Sequence, residues 1–240
     1  MPPQNIEEMV ERQVLLWQEQ SRLGLQYAPR EGHTQAPVIA ISRQHGALGA
    51  RRGRLVAERM DFAYYDRELV ERIAAEAQVR QAVVDSVDER ARHRISDWLA
   101  DHIGGGRLSD SEYVRHLSHV LLSIAYHGRA VIVGRGACFL LDPTWTLRVR
   151  AFAPLEVRVA RVAQSHKLPL DEARADVESM DAGRADFNRR HFGRDVNDPA
   201  GYDLLIDTGT LSLPACADLV LAAFKARFGA GGVRHRNGHP

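Results

Sequence analysis

The residues whose types and order could do chemistry are concentrated between Ser42 and Arg54. An apolar run, Val38 to Ile41, ends at Ser42. Arg43, Gln44, His45, Gly46, Ala47, Leu48, Gly49 and Ala50 follow before a helical pattern begins. A buried-type strand that breaks at glycines and opens into a helix is suited to cradling phosphate. The helix start offers unpaired N–H groups and the positive end of its dipole. A full phosphate loop carries two signature glycines, a lysine and a hydroxyl residue at fixed places. Here Arg43 and Leu48 stand at the glycines, Gly49 at the lysine and Ala50 at the hydroxyl. Arg51, Arg52 and Arg54 crowd the first turn of the helix, where cations oppose the dipole. A bound anion would relieve that conflict, so Arg51 or Arg52 is the expected replacement for the lysine. The competing reading is a tight strand-to-helix turn with solvated arginines.

Other candidates sit at strand ends and on one charged segment. Asp66 follows a short apolar stretch and precedes Arg67-Glu68-Leu69, where a helix N-cap is expected. Arg135 lies between Gly134 and Gly136 at the end of another apolar run and has little structural reason to be there. Arg158 and Arg161 are three apart and share a helix face. Arg184 follows Asp181 and precedes Arg189 and Arg190; a solvated, ion-paired face is the plain alternative. The histidines show no metal-ligand spacing, no metal site is assigned, and no Ser/His/Asp grouping stands out. Asp207 ends the last strand, away from the place expected of a magnesium-binding aspartate.

Stepping outward, strands are expected at Val38 to Ser42, Phe62 to Tyr65, Ala130 to Val133, Leu147 to Phe152 and Leu204 to Ile206, with helical patterns between them. That alternation predicts an α/β fold with a parallel sheet of about five strands flanked by helices, with ligands beyond the carboxyl ends of the strands. The spacing of Ile6, Met9, Val10, Val14 and Trp17 predicts an amphipathic N-terminal helix over 5–22, packed on the domain or on another subunit. A homodimer through that helix is one arrangement open to the chain. The middle section, about 80–127, reads as a helical insertion. It contains an Ile95, Trp98, Leu99, Ile103 stripe and the capping pattern Ser109-Asp110-Ser111-Glu112. Residues 165–198 read as a charged helical lid. The expected division is an extension and linker over 1–36, one domain over 37–228 and a disordered tail over 229–240.

The 240 residues suit one large domain, and the formal net charge of +1 gives no overall pull toward nucleic acid or membrane. The cations are 30 Arg against two Lys, a bias that genome composition or repeated bidentate phosphate contact would both produce. Cys138 and Cys216 sit in apolar contexts and read as core residues of a reducing compartment. With no apolar run near ~18 residues and no signal-peptide pattern, a cytoplasmic location is expected.

The order ISRQHGALGA, VAERMDFAYYDRELVERIA, HGRAVIVGRGACFLL, RVRAFAPLEVRVARVA, DAGRADFNRRHFG, YDLLIDTGTLS, from about 37 to 226, resembles the cytidylate kinase-like family of bacterial P-loop proteins. The resemblance implies a P-loop kinase fold that transfers phosphoryl from ATP, with Mg²⁺, to a nucleoside monophosphate such as CMP or dCMP. ATP would bind at 43–52, and the acceptor between Asp66, the insertion and Arg135. Arg184, Arg158 and Arg161 would act from the lid side. The aspartate that follows the motif arginine in true cytidylate kinases is Gly136 here. A nucleotide-binding regulatory protein without turnover, and a kinase for another phosphorylated metabolite, stay open as alternatives.

Overall fold

A computed structural model describes residues 6–22, 36–106, 108 and 111–229. Five strands, β1 (Val38–Arg43), β2 (Ala63–Tyr65), β3 (Ala130–Val133), β4 (Thr146–Phe152) and β5 (Leu204–Asp207), form one sheet. Their order is β2-β3-β1-β4-β5 and every pairing is parallel. The helices are α1 (Ile6–Arg22), α2 (Gly49–Met60), α3 (Arg67–Ala75), α4 (Ala77–Asp85), α5 (Glu89–Gly104), α6 (Glu112–His127), α7 (Ala137–Leu140), α8 (Leu155–His166), α9 (Leu170–Phe192) and α10 (Leu213–Phe228). This is an α/β architecture with the first strand central.

The near-continuous apolar character of β1 and β3 follows from burial on both faces. Val38 and Ala40 of β1 face a core shared with Leu117, Leu121 and Ile124 of α6. Ile39 and Ile41 face the opposite core, with Val56 and Met60 of α2 and Phe224 of α10. Alternate residues thus feed different cores, as a pleated strand requires. A third, small core of Val159, Val162, Ala173 and Val177 joins α8 to α9. Helix α1 buries Val10 and Trp17 against its own chain, next to α3 and α4.

Strand positions follow the sequence expectation, with single-residue extensions at Thr146, Arg43 and Asp207 and a later start at Ala63. The helices α3 and α4 meet at Glu76, whose extended backbone (φ −83°, ψ 113°) ends one and starts the other. The start of α6 is capped by Ser111, whose hydroxyl accepts from the Val114 N–H at 3.2 Å. Ser109 and Asp110, the other half of that capping pattern, lie outside the described residues, as do most of the 23–36 linker and the tail from 230. Both cysteines are buried. Among the described residues no helix is long and apolar enough to cross a membrane.

Candidate functional site

The loop between β1 and α2 turns through two left-handed residues, Gly46 (φ 77°) and Leu48 (φ 54°). Left-handed backbone is costly for a residue with a Cβ. Leu48 tolerates it as the N-cap of α2 and offers no side-chain cap. Arg52 N–H is the first of the helix to find a carbonyl, that of Leu48. Among the described residues, no acceptor meets the N–H groups of Gly49, Ala50 and Arg51. That leaves the first-turn donors open to an anion.

Each loop residue is held in place. Gln44 accepts the Ala153 N–H on its amide oxygen at 3.1 Å. The His45 N–H donates to Asp181 Oδ1 of α9 at 2.7 Å, and its ring meets Asp176 Oδ2 at 3.0 Å. Ala47 is fully buried and hydrogen-bonds back to Gln44. Ala50 is exposed, its carbonyl accepting from the Tyr64 hydroxyl. At Gly46 a side chain would collide with the Arg158 backbone, so the loop lies tight against α8.

The two arginines expected to replace the lysine differ in placement. Arg51 is exposed. Arg52 is buried, and its guanidinium donates to the Ala47 carbonyl at 2.8 Å and, at longer range, to the Thr208 and Leu211 carbonyls. Arg161 grips the same turn after β5, donating to the Thr208 carbonyl at 2.7 Å. Arg158 is buried beneath the loop. It donates to the carbonyls of Ala153 and His45 and pairs with Asp181 at 2.6 Å. These three arginines hold backbone.

Beyond the carboxyl ends of β1 and β3 lies a cavity of about 280 Å³. Arg43, Arg135 and Arg184 line it, together with Arg67 and Arg150, which the sequence reading passed over. Arg135 has left-handed backbone (φ 51°) between Gly134 (φ 94°) and Gly136 (φ 72°). It pairs with Glu71, which also meets Arg67 at 3.4 Å, and lies 4.8 Å from the Phe187 ring centre. Such backbone strain persists where the surroundings fix it and is concentrated at functional sites. Arg184 donates to the Arg43 carbonyl at 3.2 Å and stands 3.6 Å from Asp181. Among the described residues Arg150 meets only neutral acceptors, Ser42 Oγ at 2.7 Å and Asn197 Oδ1 at 3.4 Å.

Positive charge outweighs negative in this cavity, and the ionisation of its arginines shows the strain. Burial, then the charges of Arg184, Arg67 and Arg135, push Arg43 down to about 10. Burial likewise lowers Arg184; Asp181 opposes this, and the neighbouring arginines add to it. The Nε atoms of Arg135 and Arg184 are buried without a partner among the described residues. Unpaired buried donors of this kind call for an anionic ligand. Asp66 stands apart: it caps α3 by accepting the Leu69 N–H at 2.9 Å and lies 3.9 Å from Arg54. Gly136 is glycine because its φ is positive and the Phe192 ring fills the space a side chain would take. Among the described residues no three His, Cys, Asp or Glu side chains gather as a metal site.

Arg150 could have been found by the reasoning that found Arg43 and Arg135. It too is a polar residue near the end of a buried strand, and in register it faces Ser42. Arg67 carried no such signal, because its position at a helix start is ordinary for a charged residue.

The description "cytidylate kinase-like family" matches residues 38–210. A cytidylate kinase of Methanothrix thermoacetophila is 30% identical over 104 residues, 43% of this chain and 59% of the relative. A second, of Aeropyrum pernix, is 30% identical over 106 residues, 44% of this chain and 62% of the relative. The chain therefore matches only part of the length of these curated relatives. A crystal structure of an uncharacterized protein from Eubacterium ventriosum superposes with a TM-score of 0.56 at 17% identity, covering 80% of this chain and 99% of that one. That likeness concerns the fold alone.

Proposed function

The chain belongs to the cytidylate kinase-like family, and on that premise we propose that it is an ATP-dependent phosphotransferase acting on a nucleoside monophosphate, CMP or dCMP in the first instance. The observation that supports this most is the arginine-lined cavity beside an unfilled helix N-terminus. A phosphate dianion in the cavity and a nucleotide triphosphate at the helix start would together match its excess of cations. ATP with Mg²⁺ would supply the transferable phosphoryl. The loop from Arg43 to Ala50, with the open N–H groups of Gly49, Ala50 and Arg51, would hold its phosphates. With no assembled carboxylates, magnesium would be carried mainly by phosphate oxygens and water, in keeping with its chemistry.

Transfer breaks the bond between the terminal phosphorus and its bridging oxygen, whose electron pair leaves with ADP. A new bond forms to an oxygen of the acceptor phosphate. That oxygen is already anionic, so no general base is needed, and positioning and charge do the work. Arg135 and Arg67 would orient the acceptor phosphate, and Arg184 would neutralise charge on the moving phosphoryl. Arg52, Arg158 and Arg161 would act indirectly, by fixing the loop and the turn after β5. The α8–α9 pair would serve as a lid, joined to the loop chiefly by polar contacts from Asp176, Asp181 and Arg184.

One observation favours the reading without turnover: Asp181 already takes a loop N–H that a phosphate would otherwise use. Incubation with ATP-Mg²⁺ and a panel of CMP, dCMP, UMP and AMP, read by nucleotide separation, decides between them. ADP formed with any acceptor supports the kinase. Tight ATP binding with no ADP in any lane leaves the binding protein as the answer.

A further inference from the structure

The position that carries the lysine in a full phosphate loop is Gly49. A Cβ built there would lie 2.5 Å from Arg43 Cβ and 2.9 Å from Arg43 Cγ. The stem of Arg43 therefore fills the volume through which a lysine side chain would leave the helix. Gly134 makes room at the other end of the same side chain, because a Cβ there would strike the Arg43 guanidinium. Two glycines, one on the loop's helix and one after β3, thus frame a single arginine that starts from the end of β1.

The guanidinium of Arg43 lies in the cavity and faces Arg184, Arg67 and Arg135. Among the described residues no carboxylate pairs with it and no acceptor takes its side-chain donors; its backbone carbonyl accepts from Arg184. A half-buried cation with no counter-charge, ringed by others, is unfavourable in the protein alone. It is retained where a ligand supplies the missing charge.

We propose that Arg43 replaces the loop lysine: its stem runs where the lysine's would, and its guanidinium contacts the terminal phosphoryl oxygens of the bound nucleotide as transfer proceeds. This rests on the reading of the site as a nucleotide phosphotransferase. Arg43 donates N–H bonds to the phosphoryl oxygens and exchanges no proton. The planar fork suits that task, since it can meet two oxygens at once. The absent lysine is thus a relocation of charge from the first turn of α2 to the last residue of β1, and Arg51 and Arg52 are not its substitutes.

The test compares wild type, Arg43→Met and the double variant Arg43→Gly/Gly49→Lys, using ATP and inorganic tripolyphosphate as probes in thermal-shift and calorimetric titrations, with ADP formation as a second readout. The Met variant keeps the stem and loses the charge. It is expected to melt at a higher temperature than wild type, to lose at least about tenfold in tripolyphosphate affinity, and to lose on the order of 10³ in turnover. The double variant is expected to regain most of the tripolyphosphate binding. A Met variant that melts lower or fails to fold assigns Arg43 a structural role and overturns the inference. So does one that binds tripolyphosphate as wild type does, and ATP turnover in wild type would then leave the kinase reading standing. A folded double variant with no recovered binding overturns the equivalence with lysine. Wild type that binds neither probe removes both the inference and the kinase reading.

Discussion

Beneath the turn that follows β5, arginine side chains converge on backbone carbonyls; at the carboxyl ends of β1 and β3 they converge on one another. Arg52 and Arg161 converge on the Thr208 carbonyl, and Arg52 also holds those of Ala47 and Leu211. Their terminal nitrogens meet acceptors of the backbone, while Arg52 Nε is buried without a partner among the described residues. Around the cavity, Arg43 and Arg150 meet no carboxylate among the described residues, while Arg67 and Arg135 share Glu71. The same residue type holds backbone in one place and, on the proposed reading, is left for a ligand in the other. Acceptors separate the two roles, since burial alone does not tell them apart.

Substitutions should split along that line. The largest effect is expected for Arg184→Ala: turnover falls on the order of 10³ while the melting temperature stays near that of wild type or rises, because one repelling cation is gone. A steady-state assay beside a melting curve reads both, and a stability loss that accounts for the lost rate would place Arg184 with the structural set. Arg52→Ala should do the reverse. Leaving the Ala47 carbonyl without its donor, with two weaker bonds lost, costs about 3 kcal/mol in denaturant unfolding. Its rate per folded molecule should stay within about tenfold, and a neutral effect on stability would dissolve the contrast. Gly136→Asp, which restores the carboxylate of true cytidylate kinases, should cost about 2 kcal/mol, from the positive φ and the Phe192 ring. Phe192→Ala in the same chain should recover the steric part. If the single substitution is silent, the ring is free to move and Phe192 does not explain the glycine.

The sequence was informative about strand ends and poor at telling which arginines were occupied. Apolar runs at Val38, Ala130 and Leu147 marked the sheet, because a strand buried on both faces must be apolar throughout. Arg135 stood out for the same reason, as a charge placed where the buried run of β3 ends. Three cases show the limit. Arg51 and Arg52 looked equivalent, yet helix geometry turns one to solvent and the other beneath the loop. The pairing of Arg43 with the bare Gly49 spans six positions of a turning loop and exists only in three dimensions. Arg158, expected to act from the lid side, holds the His45 carbonyl and Asp181, partners that lie far along the chain.

His127 sharpens the comparison, because an imidazole can do what guanidinium cannot. It lies stacked on Trp17 at 4.0 Å with Ser86 Oγ at 2.8 Å from Nε2. Burial, partly opposed by the charge of Asp88, pushes it down to about 4. It escapes the cost of a buried charge by staying neutral, whereas the cavity arginines stay charged near neutral pH. The sign follows from linkage. The unfolded chain binds the proton at about 6.5 and the folded chain only near 4, so stability is complete above pH 6.5 and declines as pH falls toward 4. The loss should reach about 1.4 kcal/mol by pH 5.5. His127→Phe keeps a ring against Trp17 and cannot take the proton, and Ser86 retains its bond to the Val83 carbonyl. Denaturant midpoints at pH 7.5 and 5.5 should therefore lie closer together in that variant than in wild type. If the two proteins lose the same stability between those pH values, His127 is protonated without penalty, and docking of α1 does not depend on its neutrality.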